Sequence, residues 1–294
     1  MAAHQASSLD IPTPASIFGF RKKLGEIEQT HLGLSTSFKK NPALRLRASS
    51  EPPPRLTQEQ PNNTLESASK TESGCDFFKE MKHRFLSFKK HKYLENLEHF
   101  KNLAEAQAPK FMVIACADSR VCPSYILGFQ PGEAFMVRNV ANLVPPFENG
   151  PSETNAALEF AVNSLEVENI LVIGHSCCGG IKALMSMQDE VDLSFIGSWV
   201  AVGKNARSSA KASATSLSFD QQCRYCEKES IDRSLLNLLT YPWIKERVAK
   251  GVLSVHGGYY DFINCTFEKW TLDCKRSNSK EESGYAVKNR LFWS

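Results

Sequence analysis

Residues 111–120 read Phe-Met-Val-Ile-Ala-Cys-Ala-Asp-Ser-Arg, and this stretch determines how the rest of the chain is interpreted. Its first half is an apolar run with β-branched residues, which is typical of a buried strand. The run ends in a thiol, a carboxylate and a guanidinium, at Cys116, Asp118 and Arg120. Pro123 follows, and proline suits the first turn of a helix. The stretch therefore predicts a strand that ends in reactive side chains and leads directly into a helix.

A second stretch follows the same plan. Asn169–Gly174 is another apolar run, and His-Ser-Cys-Cys-Gly-Gly follows it at residues 175–180. In open α/β sheets, ligands bind beyond the carboxyl ends of parallel strands. If the two strands are neighbours, we expect Cys116, His175 and one cysteine of the adjacent pair to meet at one point.

The patterns along the chain alternate strands with helices. This order predicts an α/β fold with a mainly parallel β-sheet flanked by helices. Apolar residues at helical spacing between Phe77 and Leu103 predict one or two amphipathic helices before the sheet. The predicted strands are 111–115, 134–140, 169–174 and, as the last one, 252–260. The predicted helices are 123–128, 154–166, 179–187, 195–212 and 224–240.

Composition excludes several classes of protein. The chain has 294 residues, 42% of them hydrophobic, which is enough for a sizeable core. Its net charge of +3 is too small to indicate nucleic-acid binding. No apolar run reaches the roughly 18 residues that a membrane span needs. The nine cysteines are an odd number in a long chain, so we expect a reducing compartment, with cysteines serving as metal ligands or small core residues.

The two ends of the chain differ from its middle. Residues 1–50 contain seven Lys or Arg, three acidic residues and ten Ser or Thr. This composition is typical of an organelle transit peptide, and a basic tail without a targeting role is the alternative. Residues 51–74 resemble a disordered linker, residues 75–272 form the predicted domain, and residues 273–294 are predicted to be a polar, loosely held tail.

The residue types at the two strand ends suit zinc. Zinc binds Cys sulfur and His nitrogen tetrahedrally, and catalytic sites keep three protein ligands with an open fourth position. Cys116, His175 and Cys178 would provide such a set, because a helix amino terminus after Cys178 favours its thiolate. Asp118, oriented by Arg120, would hold the zinc-bound water. The alternative is a closed structural site with Asp118 as the fourth ligand.

The other cysteines and one histidine receive structural interpretations. Cys177 is expected to point away from the metal and pack in the core. Cys122 and Cys265 are predicted to be buried small residues. The pair in Cys223-Arg-Tyr-Cys226 lies on a predicted helix and is interpreted as structural. His256 is predicted to be a hydrogen-bonded histidine of the core or of an interface.

The two short motifs together resemble the plant-type beta-class carbonic anhydrases. These motifs are Cys-Ala-Asp-Ser-Arg at 116–120 and His-Ser-Cys-Cys-Gly-Gly at 175–180. Residues 137–146, 226–229 and 257–262 also resemble plant members, and the likeness covers about 75–272. It implies a zinc-dependent domain that hydrates carbon dioxide reversibly to bicarbonate and a proton, using a zinc-bound hydroxide and one Zn²⁺ per chain. A non-catalytic zinc- or bicarbonate-binding protein that keeps the fold is the alternative.

The resemblance also implies roles for individual residues. Where this chain has Phe160, plant members often have a tyrosine, so a hydroxyl near the site is missing here. The implied zinc ligands are Cys116, His175 and Cys178, the implied catalytic pair is Asp118 and Arg120, and the implied substrate-binding residues are Gln107, Phe135, Val140 and Phe160.

Partners and location follow from the same resemblance. It implies a homodimer or higher homo-oligomer, with amino-terminal helices that reach across to the partner. Carbon dioxide and bicarbonate are the implied small-molecule partners, and neither nucleic acid nor a membrane span is expected. The amino-terminal composition favours the chloroplast, with the mitochondrion or cytoplasm as alternatives.

Overall fold

The computed structural model describes residues 73–188, 194–274 and 285–294. The predicted transit peptide and nearly all of the predicted linker lie outside these residues. The helices are α1 (Ser73–Phe88), α2 (Leu97–Glu105), α3 (Pro123–Leu127), α4 (Glu153–Glu159), α5 (Gly179–Ser186), α6 (Phe195–Val200), α7 (Lys204–Ser213), α8 (Phe219–Leu238) and α9 (Pro242–Ala249). The strands are β1 (Phe111–Cys116), β2 (Ala134–Asn139), β3 (Asn169–His175), β4 (Ser254–Asp261), β5 (Thr266–Cys274) and β6 (Tyr285–Trp293).

The strands form one sheet in the order β2-β1-β3-β4-β5-β6. The first four strands in this order pair in parallel, whereas β5 and β6 add antiparallel pairs at one edge. The predicted α/β class with a mainly parallel sheet is therefore confirmed. β1 is central, so side chains on both of its faces are buried, as its unbroken apolar run indicates.

The core has a layer on each face of the sheet. Successive side chains of a strand point to opposite faces. Met112 and Ile114 belong to the cluster that includes Ile231 and Leu235 of α8, whereas Val113 belongs to a smaller cluster on the other side. Helix α8 thus covers the face of the sheet to which Met112 and Ile114 point.

Several predicted element boundaries need correction. The predicted helix 195–212 is divided by a 3-10 turn at Ala201–Gly203, and the helix predicted to start at residue 224 begins at Phe219, after the capping box of Ser218 and Gln221. Helix α9 was not predicted. The predicted helix 154–166 changes to a π-helical turn at Phe160–Ser164.

The prediction of a loosely held tail is wrong for residues 285–293, and the prediction that the strand near 252–260 is the last one is also wrong. β6 pairs with β5 from Phe267 opposite Trp293 to Cys274 opposite Tyr285. Trp293 stacks on Phe267 at 5.1 Å between ring centroids, and Lys288 forms an ion pair with Asp273 at 2.8 Å. An edge strand with one solvated face carries polar residues, so its composition resembled that of a tail.

The amphipathic helices predicted between residues 77 and 103 are confirmed as α1 and α2, joined by π-helical and 3-10 turns. The apolar side of α1 is exposed, with Phe77 and Phe78 each 74% accessible. Their reach to a partner subunit stays a prediction. Among the described residues, we find no helix with the length and apolar character that crossing a bilayer requires.

Candidate metal centre

The sheet register brings the two polar motifs together. β1 and β3 are neighbouring parallel strands, with Ala115 opposite Ile173, so the residues that follow leave the sheet side by side. Cys178 is the N-cap of α5, which begins directly after the second motif. The ligand atoms of Cys116, His175 and Cys178 all lie within 4.8 Å of one another, and all three residues are buried. The fold therefore brings together the three residues predicted to bind metal.

The geometry of this cluster fits zinc. The two sulfur atoms of Cys116 and Cys178 are 3.9 Å apart. Tetrahedral zinc with Zn–S bonds of about 2.3 Å would separate two sulfurs by about 3.8 Å. Nδ1 of His175 lies 2.9 Å from the carbonyl oxygen of Ser176, so its hydrogen bond uses the tautomer protonated at Nδ1. Nε2 of His175 is buried and has no hydrogen-bond partner within the described part of the chain, which leaves its lone pair for a metal.

The surroundings of the two sulfurs favour one negative charge on the pair. The hydrogen bond from Cys178 lowers the pKa of the Cys116 thiol to about 4, although burial opposes this shift. The same hydrogen bond, together with burial, raises the pKa of Cys178. The backbone N–H of Asp118 also donates to the Cys116 sulfur, and those of Gly180 and Ile181 donate to the Cys178 sulfur. A dication that binds both sulfurs would take the place of the proton between them.

Asp118 and Arg120 form a tightly coupled pair beside the cluster. Oδ1 of Asp118 accepts from the backbone N–H and from Nε of Arg120, both at 2.9 Å, and Oδ2 accepts from Nη2 at 2.7 Å. These hydrogen bonds lower the pKa of Asp118 to about 2. A carboxylate has about four acceptor positions, so Oδ2 keeps one for a further donor. The carboxylate does not belong to the 4.8 Å cluster, so a metal held by the three clustered residues would keep its fourth position for water.

Phe262 and Arg138, which the sequence did not identify as site residues, contact this pair and its loop. The guanidinium of Arg120 lies over the ring of Phe262, 4.6 Å from its centroid, and donates to the carbonyl of Cys177 at 3.3 Å. Arg138 of β2 donates to the carbonyls of Cys116 at 2.9 Å and of Asp118 at 2.5 Å. A charged residue within an otherwise apolar strand was the signal that could have identified Arg138.

Two of the four predicted substrate-binding residues contact each other, and a third lies beside the helix that follows the second motif. Phe135 of β2 contacts Phe160, with 5.7 Å between ring centroids, and Phe160 is partly exposed. Val140 follows β2 and approaches Gly180 so closely that a Cβ there would lie 2.7 Å from its Cγ1. Gln107 is exposed after α2, and no contact with the other predicted site residues is seen in the described structure.

The structure corrects two predictions about cysteines. Cys177 does not pack in the core: it is exposed, because its backbone adopts a left-handed φ of 56° in the turn between the two ligands. Cys265 is also exposed, in the turn between β4 and β5. Cys122 is only partly buried, so its predicted burial holds in part. Cys223 and Cys226 are buried on α8, in agreement with their structural interpretation.

His256 lies inside the fold, as predicted. Its Nδ1 is 3.0 Å from Oγ1 of Thr271, and its Nε2 is 3.1 Å from Oδ1 of Asn169. Burial lowers the pKa of His256 to about 4. Both ring nitrogens are engaged away from the cluster, so His256 has a structural role.

Comparisons with known proteins point to the same chemistry. The family model described as carbonic anhydrase matches residues 111–266. The chain is 58% identical over 292 residues to beta carbonic anhydrase 5, chloroplastic, of Arabidopsis thaliana, covering 98% of this chain and 94% of that protein. It is 57% identical over 226 residues to the mitochondrial beta carbonic anhydrase 6 of the same plant, covering 76% of this chain and 77% of that protein.

A solved structure supports the fold assignment. The chain is similar to a beta-carbonic anhydrase described as tetrameric, from the filamentous ascomycete Sordaria macrospora. The TM-score is 0.59 and the identity is 28%, with 66% of this chain and 96% of that chain covered. With the family model and the relatives from Arabidopsis, this likeness leads to one conclusion. The chain belongs to the beta-class carbonic anhydrases.

Proposed function

We propose that this carbonic anhydrase hydrates carbon dioxide reversibly at a zinc ion held by Cys116, His175 and Cys178, with Asp118 and Arg120 acting beside it. Beta carbonic anhydrases use one zinc ion per chain for this reaction. The observation that carries the assignment is the convergence of two thiols and an unpartnered imidazole nitrogen within 4.8 Å. The open fourth position favours catalysis over a closed structural site.

Each residue has a physical task in the reaction. Zinc, when bound, makes a coordinated water acidic enough to provide a nucleophile near neutral pH. The free acceptor position on Asp118 takes a hydrogen bond from the attacking oxygen and directs its lone pair at carbon dioxide. Arg120 keeps the carboxylate ionised and fixed through its hydrogen bonds. The released proton passes to buffer.

The apolar residues predicted to bind substrate suit an uncharged gas. Carbon dioxide is uncharged, so Phe135, Val140 and Phe160 can receive it without loss of polar hydration. Phe160 cannot donate a hydrogen bond, so orientation of the product by a phenol is absent at this position. Gln107 is exposed in the single chain. It would bind substrate only if assembly places it beside the metal centre of a second subunit.

The direct test measures hydration and zinc content on the full-length protein. We expect stopped-flow measurements to show rapid, chelator-sensitive hydration and about one zinc per chain, the stoichiometry that three converging ligands can hold. One zinc per chain without hydration between neutral and alkaline pH would favour a closed or binding-only protein. Absence of zinc would contradict the ligand assignment.

We further propose that the protein assembles as a homodimer or a higher homo-oligomer. The structural relative from Sordaria macrospora is described as tetrameric. The exposed phenylalanines on α1 support an assembly, because large apolar patches on a soluble protein mark interaction surfaces. Sedimentation velocity on the sample used for stopped flow reports the number of subunits.

We propose the chloroplast as the location of this protein. The likeness to the chloroplastic relative extends over 98% of the chain, whereas the likeness to the mitochondrial one covers 76%. Residues 1–50 also have the composition of a transit peptide.

Import of a fluorescent fusion tests the location. A full-length fusion expressed in leaf protoplasts is expected to coincide with chlorophyll fluorescence. The matched control lacks residues 1–50 and should stay in the cytosol, because the targeting composition lies there. Coincidence of the full-length fusion with a mitochondrial dye would contradict the proposed location.

A further inference from the structure

Glu227 of α8 is a buried carboxylate to which the proposed reaction gives no task. Only 2% of its surface is accessible. Glu268, another buried carboxylate, forms ion pairs with Lys228 at 2.6 Å and Arg290 at 3.1 Å. Glu227 forms no ion pair among the described residues. Burying a carboxylate without a cation is costly, so its hydrogen bonds must give it a specific role or stabilise it unusually well.

Its two oxygens link a strand to a zinc ligand. Oε1 accepts from the backbone N–H of Cys178 at 3.0 Å, and Oε2 accepts from the hydroxyl of Tyr259 at 2.8 Å. Tyr259 belongs to β4 and is itself buried. The carboxylate thus connects the sheet to the residue that provides one of the two converging sulfurs.

Each residue of the turn that carries this ligand is held by a different group, and at Cys177 that group is Arg120, which donates to its carbonyl at 3.3 Å. Cys177 adopts a left-handed φ of 56°, and Cys178 has φ −70° and ψ 118°, so neither residue is helical. Ser176 is held by β4, since its N–H donates to Tyr260 at 2.9 Å and its Oγ accepts from the N–H of Phe262 at 3.1 Å. Glu227 is the corresponding support at Cys178. Without it, a buried N–H would lose its partner and the turn could rotate.

We propose that Glu227 is a positioning residue of the metal centre, which fixes the backbone of Cys178 so that its sulfur converges with Cys116 and His175. This inference rests on the proposed zinc site. Groups that orient metal ligands from outside the coordination sphere change metal affinity by about 10- to 100-fold when they are replaced. The position of the acceptor oxygen, rather than the charge of the carboxylate, is what the turn requires.

Two conservative variants separate position from charge. In Glu227→Asp the charge stays, but the side chain is one methylene shorter, so the oxygen withdraws from Cys178. In Glu227→Gln the charge is lost, but the amide oxygen can still accept from Cys178 while the amide nitrogen donates to the oxygen of Tyr259. The full-length, zinc-loaded protein is titrated with a chelator of known affinity to obtain the zinc dissociation constant.

We expect Glu227→Asp to raise the zinc dissociation constant by about 10-fold or more, and Glu227→Gln to stay close to wild type. The matched control is Asp232→Asn, on the same helix, whose carboxylate accepts from Nε1 of Trp270 at 2.8 Å and does not belong to the metal cluster. Its zinc affinity should not change. Thermal unfolding of each variant separates a loss of fold from a loss of metal.

Other outcomes would overturn the inference. Unchanged affinity in Glu227→Asp would show that the position of the oxygen is not needed, and weak affinity in Glu227→Gln would assign the effect to charge. An equal loss in Asp232→Asn would assign it to general destabilisation of α8. A wild-type protein that binds no zinc would instead contradict the proposed function.

Discussion

Replacing Cys178 with serine is expected to remove zinc and reduce carbon dioxide hydration to the background rate. A serine hydroxyl stays protonated at neutral pH and is a poor zinc ligand, so only Cys116 and His175 would remain. Cys178 is 2% accessible, so solvent cannot easily replace its sulfur. Because enzymes commonly accelerate reactions by at least about 10⁶-fold, loss of the metal should lower hydration by at least about 10³-fold. Zinc analysis by mass spectrometry and stopped flow on the same sample measure both effects.

A second buried cysteine provides the matched control. Cys226 lies in the interior on α8, and burial raises the pKa of its thiol to about 12. It does not belong to the Cys116–His175–Cys178 cluster. Cys226→Ser should therefore keep zinc and activity. It should lose some stability, because burying a hydroxyl group costs free energy. Retention of one zinc per chain by Cys178→Ser, or equal zinc loss in Cys226→Ser, would contradict the assignment of the ligands.

The central strands of the fold were predictable from local sequence, whereas its edge was not. β1 and β3 are buried on both faces, so each forms an unbroken apolar run that ends at a polar motif. β5 and β6 mix apolar with charged residues without a clear alternation, so their pattern does not indicate a strand by itself. They are joined by contacts such as the ion pair of Arg290 with Glu268, and neither residue alone indicates a strand. Local patterns cannot record such pairs.

The ligands of the site were predictable, because zinc chemistry restricts both residue type and spacing. The supports of the site were not. Arg138 acts on Cys116 from 22 positions away, and Glu227 acts on Cys178 from 49 positions away. The exposure of Cys177 depends on one left-handed backbone angle, which the neighbouring residues in the sequence do not reveal. Such contacts arise only when the sheet register and the packing of α8 are known.

Asp118→Asn is expected to keep zinc and lower hydration by about 100-fold. The amide of asparagine has one oxygen and an NH₂ group, whereas Arg120 and the attacking oxygen both donate hydrogens in this site. If the amide oxygen accepts from Nε of Arg120, the NH₂ group takes the place of Oδ2 of Asp118. It then faces Nη2 of Arg120, which is a donor like itself. The variant therefore loses the hydrogen bond from Nη2 of Arg120 and cannot accept a hydrogen bond from the nucleophile at this position, although no zinc ligand changes.

The pH of the measurement follows from the titration of Asp118. The hydrogen bonds from Arg120 lower its pKa from 3.8 to about 2, so the carboxylate contributes stability above pH 4 and loses it as the pH falls towards 2. Between pH 7 and 9 the comparison is therefore between a fully ionised carboxylate and a neutral amide. An inflection of wild-type activity in that range belongs to another group.

Asp273→Asn is the control for this variant. Asp273 lies on β5, and its carboxylate forms an ion pair with Lys288 of β6 at 2.8 Å. It is outside the zinc cluster, so its replacement should leave hydration nearly unchanged. If Asp118→Asn held one zinc and kept full activity, Asp118 would have no role in orienting the nucleophile. If it lost zinc, the carboxylate would instead be a fourth ligand, and the centre would be the closed structural site.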